Sequence, residues 1–320
     1  MAREGWMVVM GGSLLAVVAW VGPNPLIAAD GGKSTVLPPP TFTPDVAELF
    51  SADARTLIGP GVPGGTRPAA PAAGGSAPAG GGDAVTVAAG SWSKMISPEN
   101  LEAIVKAELP AAAESVKTIN GFKGNGKDQC QESFAVLTSM FGVIARYDGD
   151  VRWKKEALSL EEMCSKIVHA CKTSSDAAYR QSQKGATDLN EMVRGGTIAD
   201  LPKPDPDATW GKLLHRPALM KRMEVLRSGD RLGKFLSKSD FNKSKDAALR
   251  DGELLLVFSE IIRDAAFESG DDDTYQGYAT EFQKQCLEMV EAIKLGNADA
   301  AGSALSRVSK SCDTCHGDFR

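Results

Sequence analysis

The chain has 320 residues, 42% of them hydrophobic and 6% aromatic, with a formal net charge of −5. That length accommodates about two domains, and the apolar content suffices for packed cores. No Lys- or Arg-rich run stands out, which argues against nucleic acid as a partner.

Residues 1–29 have the form of an export signal. Arg3 supplies a positive charge that Glu4 partly offsets, and Trp6 to Gly22 is an almost unbroken apolar run. Leu26-Ile27-Ala28-Ala29 then offers a cleavage site after Ala29. The alternative is an uncleaved segment that anchors the chain to a membrane, for which the run is slightly short. Residues 30–92 read as a disordered linker rich in Pro, Gly and Ala, from Leu37-Pro38-Pro39-Pro40 to Gly80-Gly81-Gly82. Such a composition buries too little apolar surface to offset the entropy of ordering.

From residue 93 the pattern becomes helical, and the expected fold class is all-α. Ser97-Pro98 is a helix start, with Ser as N-cap and Pro at the first helical position. Leu101, Ile104, Val105 and Leu109 keep helical spacing, and Pro110 is expected to kink or end the helix unless residues 111–116 continue it. Further helices are expected over residues 128–147, 153–171 and 175–193, the last stopped by Gly195-Gly196. Residues 93–200 thus form a first four-helix domain, and the proline-rich residues 201–211 a linker. Residues 212–320 form a second domain, with helices over 214–226, 243–267 and 275–295, and a fourth from Ala298 capped by Asn297.

The two halves look like a duplication. Phe141, Ile144 and Arg146 sit on Phe258, Ile261 and Arg263. After loops of unequal length, Trp153, Ala157 and Cys164 sit on Tyr275, Ala279 and Cys286. The same register puts Asn190, Val193 and Arg194 opposite Cys312, Cys315 and His316, so the first repeat is expected to be haemless.

Those last three residues spell Cys-x-x-Cys-His, the attachment signature of a c-type haem. Residues three apart share a helix face, so Cys312 and Cys315 can each form a thioether to one vinyl group while His316 reaches the iron. A thioredoxin-like pair would need a βαβ setting, and a structural zinc site would need four ligands. The expected cofactor is one covalent haem c. Export agrees with it, because haem is joined to thiols outside the cytoplasm in bacteria, so a periplasmic or otherwise exported location is expected.

The ending Cys315-His316-Gly317-Asp318-Phe319-Arg320, together with Arg216 and Met220 on the first helix of the second domain, resembles the class II cytochromes c, the cytochrome c′ family. The resemblance covers about residues 212–320; the proline after Arg216 departs from the family pattern and suggests that the helix begins there. It implies a four-helix bundle with an electron-transfer role if Met220 ligates iron, or binding of a diatomic gas such as nitric oxide if an apolar side chain blocks that position. Met220 as a core residue, Met223 as a substitute ligand and Leu219 as the apolar blocker remain open alternatives. Arg216 is either a partner of a haem propionate or an exposed helix-start residue, and the resemblance places Arg320 beside the proximal histidine. No substrate turnover is expected. The redox partner protein is undefined, and family members are often homodimers.

Cys164 and Cys286 occupy matching places and read as small buried core residues. Cys164 and Cys171 are about 10.5 Å apart by helical rise and cannot bridge each other. Cys130 could bridge to Cys171 or to Cys164 in an oxidising compartment. His169 receives no role, and His215 is expected at the surface.

Overall fold

Capping side chains decide where several helices begin in the computed structural model, which describes residues 91–319. Ser97 accepts a hydrogen bond from the Asn100 N–H and opens helix α1, Pro98–Ser115. Helix α2 is Lys127–Ala145, α3 is Ala157–Ala170, and α4 is Asp176–Val193, capped by Ser175 on the Ala178 N–H. Helix α5 is Arg216–Arg227, with Pro217 near its start, and α6 is Phe241–Ile261. Asp272 accepts from the N–H groups of Thr274 and Tyr275 to open α7, Asp273–Lys294. Asn297 accepts from the Ala300 N–H to open α8, Ala298–Asp318. Short helical turns at Trp92–Lys94, Ile119–Gly121, Trp210–Leu213 and Leu232–Phe235 join these elements, and a π-helical stretch, Phe122–Gly126, leads into α2. The described residues contain no strand, so the fold is all-α.

Two four-helix sets follow in tandem. In the first, α1 packs on α2 and α4, and α3 packs on the same two neighbours. In the second, α6 packs on α5 and α7, and α7 packs on α8. Helix α5 also lies on α2, so it is shared between the sets, and a single hydrophobic core runs through both. Phe122, Phe134, Phe141 and Phe258 are fully buried in it. Each such ring stabilises the fold by roughly 1.5–3 kcal/mol relative to its exposed state.

Two similar polar links stand at the positions that the expected duplication pairs. Arg146 donates from Nη1 to Glu161 at 2.9 Å, tying the end of α2 to α3. At the matching place, Arg263 just beyond α6 donates from Nη1 to Gln283 Oε1 of α7, also at 2.9 Å. Each guanidinium holds the helix pair that carries the buried Cys164 or Cys286.

Several expectations shift. Pro110 does not end α1. Its ring is exposed, and the burial of Leu109 and Ala112 beside it holds the helix together. Trp92, assigned to the linker, is buried, and its ring meets Trp210 edge-on at 6.2 Å. Helix α3 begins at Ala157 rather than 153, because Trp153 takes a φ of 64° in the preceding turn. Helix α6 stops at Ile261, and residues 262–272 form turns in which Asp264 Oδ2 accepts from the Trp210 N–H at 2.7 Å. The export signal, the linker up to residue 90 and Arg320 lie outside the described residues. Among the described residues no helix is long and apolar enough to cross a membrane.

Candidate functional site

One face of α7 carries Tyr275, Tyr278, Ala279 and Phe282, the i, i+3, i+4, i+7 set of a single helix stripe. Against that stripe lie the last turns of α8 and one side of α5. Between them is a cleft partly open to solvent. Its walls hold Cys312, Cys315 and His316 from α8, Met220 and Met223 from α5, and Ile262 from the turn after α6. The three residues of the attachment signature therefore converge with the methionines on one predominantly apolar space.

The end of α8 is fastened to α7 by aromatic contacts. Phe319 meets Tyr275 edge-on at 5.5 Å and Tyr278 at 6.2 Å. Tyr278 donates its hydroxyl proton to Asp318 at 2.6 Å, and Tyr275 donates its own to the Ile262 carbonyl at 2.8 Å. These contacts fix the helix turn that carries His316, whose side chain is exposed at the cleft edge. Burial pushes the Cys312 thiol up to about 11 and raises that of Cys315 as well. Among the described residues, no group of three or more His, Cys, Asp or Glu is arranged to hold a bare metal ion.

Helix geometry separates the α5 candidates. Met220 is half-buried and lines the cleft, and Met223, one turn on, lines it from a buried position. Leu219 is fully buried in the core and is not part of the cleft wall, as expected for a neighbour about 100° around the helix. Arg216 stands behind the cleft. It donates to the Glu268 carbonyl at 2.5 Å, pairs with the Glu268 carboxylate at 3.6 Å, and lies 5.9 Å from the Tyr275 ring centre. The cation at the cleft itself is Arg227, which sequence reasoning missed; it pairs with Glu224 at 2.5 Å and approaches Asp313 at 3.9 Å. Its signal was visible as spacing, because Met220, Met223 and Arg227 lie at i, i+3 and i+7 on α5. His215 is partly buried, and the desolvation lowers its pKa; it lies outside the cleft, as does His169, whose Nε2 lies 2.8 Å from the Lys212 carbonyl.

The matching region of the first repeat is built differently. Helix α4 stops at Val193, opposite Cys315, and Gly195 turns the chain with a φ of 99°. Residues 196–201 then run past Arg152 and Trp153, and Ile198 and Leu201 pack against the core there. Arg152 donates to the Val193 carbonyl at 3.0 Å. Asn190 bonds back to its own helix, and Arg194 is exposed. Residues 196–201 thus lie beside Trp153, which the register places opposite the cleft residue Tyr275.

The donor set and the walls in the second repeat fit a haem. Two thiols three residues apart face an apolar cleft, an imidazole follows, and a thioether stands across from them. Residues 264–320 match the family model described as Cytochrome C′. That match spans α7 and α8 and leaves Arg216, Leu219, Met220 and Met223 outside it. The chain matches no curated protein and no solved structure.

Proposed function

We propose that the chain is a c-type haem protein, an exported electron carrier with one covalent haem c, a reading supported by the cytochrome c′ family region at residues 264–320. When bound there, haem supplies one-electron redox chemistry at iron. The observation that supports a carrier over a gas-binding module is the placement of Met220, which lines the same cleft as Cys312, Cys315 and His316. Cys312 and Cys315 would anchor the group and His316 would ligate it. Met220 presents its thioether to the same space, with Met223 one turn on. Ile262, Ala279 and Phe282 line that face with apolar side chains. Arg227 supplies positive charge at the cleft and suits an anionic propionate edge. Arg216 acts on Tyr275 and through it on the α7 stripe.

Export is supported by the signal-like N-terminus and by the attachment signature itself. The test of the carrier reading is the optical spectrum of the full chain in both oxidation states. A carrier gives low-spin iron in the oxidised and the reduced protein. A high-spin reduced spectrum contradicts Met220 ligation and returns the gas-binding reading.

A further inference from the structure

Helix α5 has only 12 residues. A helix of that length is marginal in water on its own, so its place is set by what it packs on. It packs on α2 of the first set and on α6 of its own. Leu219 and Leu226 are buried in the core that the two sets share. One side of α5, with Met220, Met223, Glu224 and Arg227, lines the cleft. Arg222 stands about 200° around the helix from Met220, and it donates from Nη2 to the Glu108 carboxylate of α1. The two side chains are only 16% and 10% exposed. Beside this pair, Lys221 meets Glu132 of α2 at 3.4 Å. The ion pairs of α5 on the side of the cleft lie at its ends, Arg216 with Glu268 at 3.6 Å and Arg227 near Asp313 at 3.9 Å. The middle turn, which carries Met220, is held from behind by the first set.

We propose that the first helix set positions the iron ligand of the second: Glu108, through Arg222, holds α5 so that Met220 stands at the cleft. This role presupposes the ligand role of Met220 proposed above. It gives the set that lacks the attachment signature a part in the chemistry of the set that has it. Glu108 is not part of the cleft wall, so it is a positioning residue. The physical reason is burial. Moving α5 off α1 leaves two charges desolvated and unpaired, which is strongly unfavourable. Arg222 and Met220 are two residues apart on one rigid helix, so a turn of α5 about its axis that carries the thioether out of the cleft also breaks the buried pair. Lys221 and Glu132 restrain the same motion more weakly, because an exposed pair contributes little.

The test uses the purified, haem-loaded full chain with Glu108→Leu and Arg222→Met together. Replacing both partners of a buried pair by apolar residues costs the fold little, whereas removing one leaves a buried charge unpaired. Nitric oxide affinity of the reduced protein is read by optical titration, and amide exchange over residues 216–227 by mass spectrometry. The expected result is a roughly two- to thirtyfold rise in nitric oxide affinity, a gain in high-spin reduced iron, and faster exchange in α5 with α7 unchanged. Glu108→Gln, which keeps the shape of the side chain, is the second variant and is expected to move the same readouts in the same direction. Unchanged nitric oxide affinity in both variants overturns the proposal, and faster α5 exchange without it identifies a merely structural pair. A Met220→Leu chain run beside them tells the two failures apart. If Met220→Leu changes the spectrum and the Glu108 variants do not, the positioning role alone fails. If Met220→Leu changes nothing, the ligand role of Met220 fails, and this role of Glu108 with it.

Discussion

Met220 and His316 line one cleft although they lie on the first and last helices of the second set. The relation depends on α7. Its stripe of Tyr275, Tyr278, Ala279 and Phe282 forms the wall between them, and Phe319 fastens the end of α8 to it. Replacement of Met220 by Leu removes the thioether and keeps the volume, a change that costs less than about 1.5 kcal/mol of stability. The expected result is reduced iron that turns high-spin and gains nitric oxide affinity. Nitric oxide titration followed optically checks it. An unchanged spectrum would assign the ligand role to Met223.

Phe319 is expected to act on the site through position alone. Phe319→Ala removes two edge-on ring contacts, each worth about 0.5–1.5 kcal/mol. The haem remains attached, because both thiols are intact, while the midpoint potential shifts and the last turn of α8 loses amide-exchange protection. Amide exchange followed by mass spectrometry, beside a redox titration, reads both.

Glu161 makes stability depend on pH in the first helix set. Burial raises its pKa above the ordinary glutamate value, although Arg146 acts in the opposite direction. The folded chain therefore binds this proton more tightly than the unfolded one. Its contribution is fully present below the unfolded pKa and is lost as pH rises through the folded one. Glu161→Gln places in the first repeat the residue that Gln283 already supplies in the second, and it flattens that slope. Urea unfolding at several pH values measures the difference between the two chains. Equal slopes would refute the assignment.

Gly142 leaves room for the stacking of the two sets. A Cβ there would collide with the Trp210 ring and with the Glu161 carboxylate. Gly142→Ala should cost about 1–3 kcal/mol by overpacking, read as a lower urea midpoint. The Trp210 ring lies 5.0 Å from the Arg146 guanidinium, so its fluorescence reports the same junction.

Much of this architecture is legible before any coordinates. Ser97, Ser175 and Asn297 announce their helices because capping chemistry is local. Cys312, Cys315 and His316 announce theirs because the attachment needs fixed spacing. What stays hidden depends on neighbours distant in sequence. Trp92 and Trp210 lie in stretches whose composition reads as linker, and only their mutual contact shows that these stretches are packed. Arg227 became a cleft residue only when α8 was laid beside α5, whereas Arg216 was drawn away by Glu268 and Tyr275.

The central claim is that Cys312 and Cys315 hold haem covalently in the cleft. Acid–acetone extraction of the purified full chain tests it most directly. The account predicts that haem stays with the polypeptide and that a Cys312→Ala, Cys315→Ala chain releases it. Release from the unaltered chain would contradict the account.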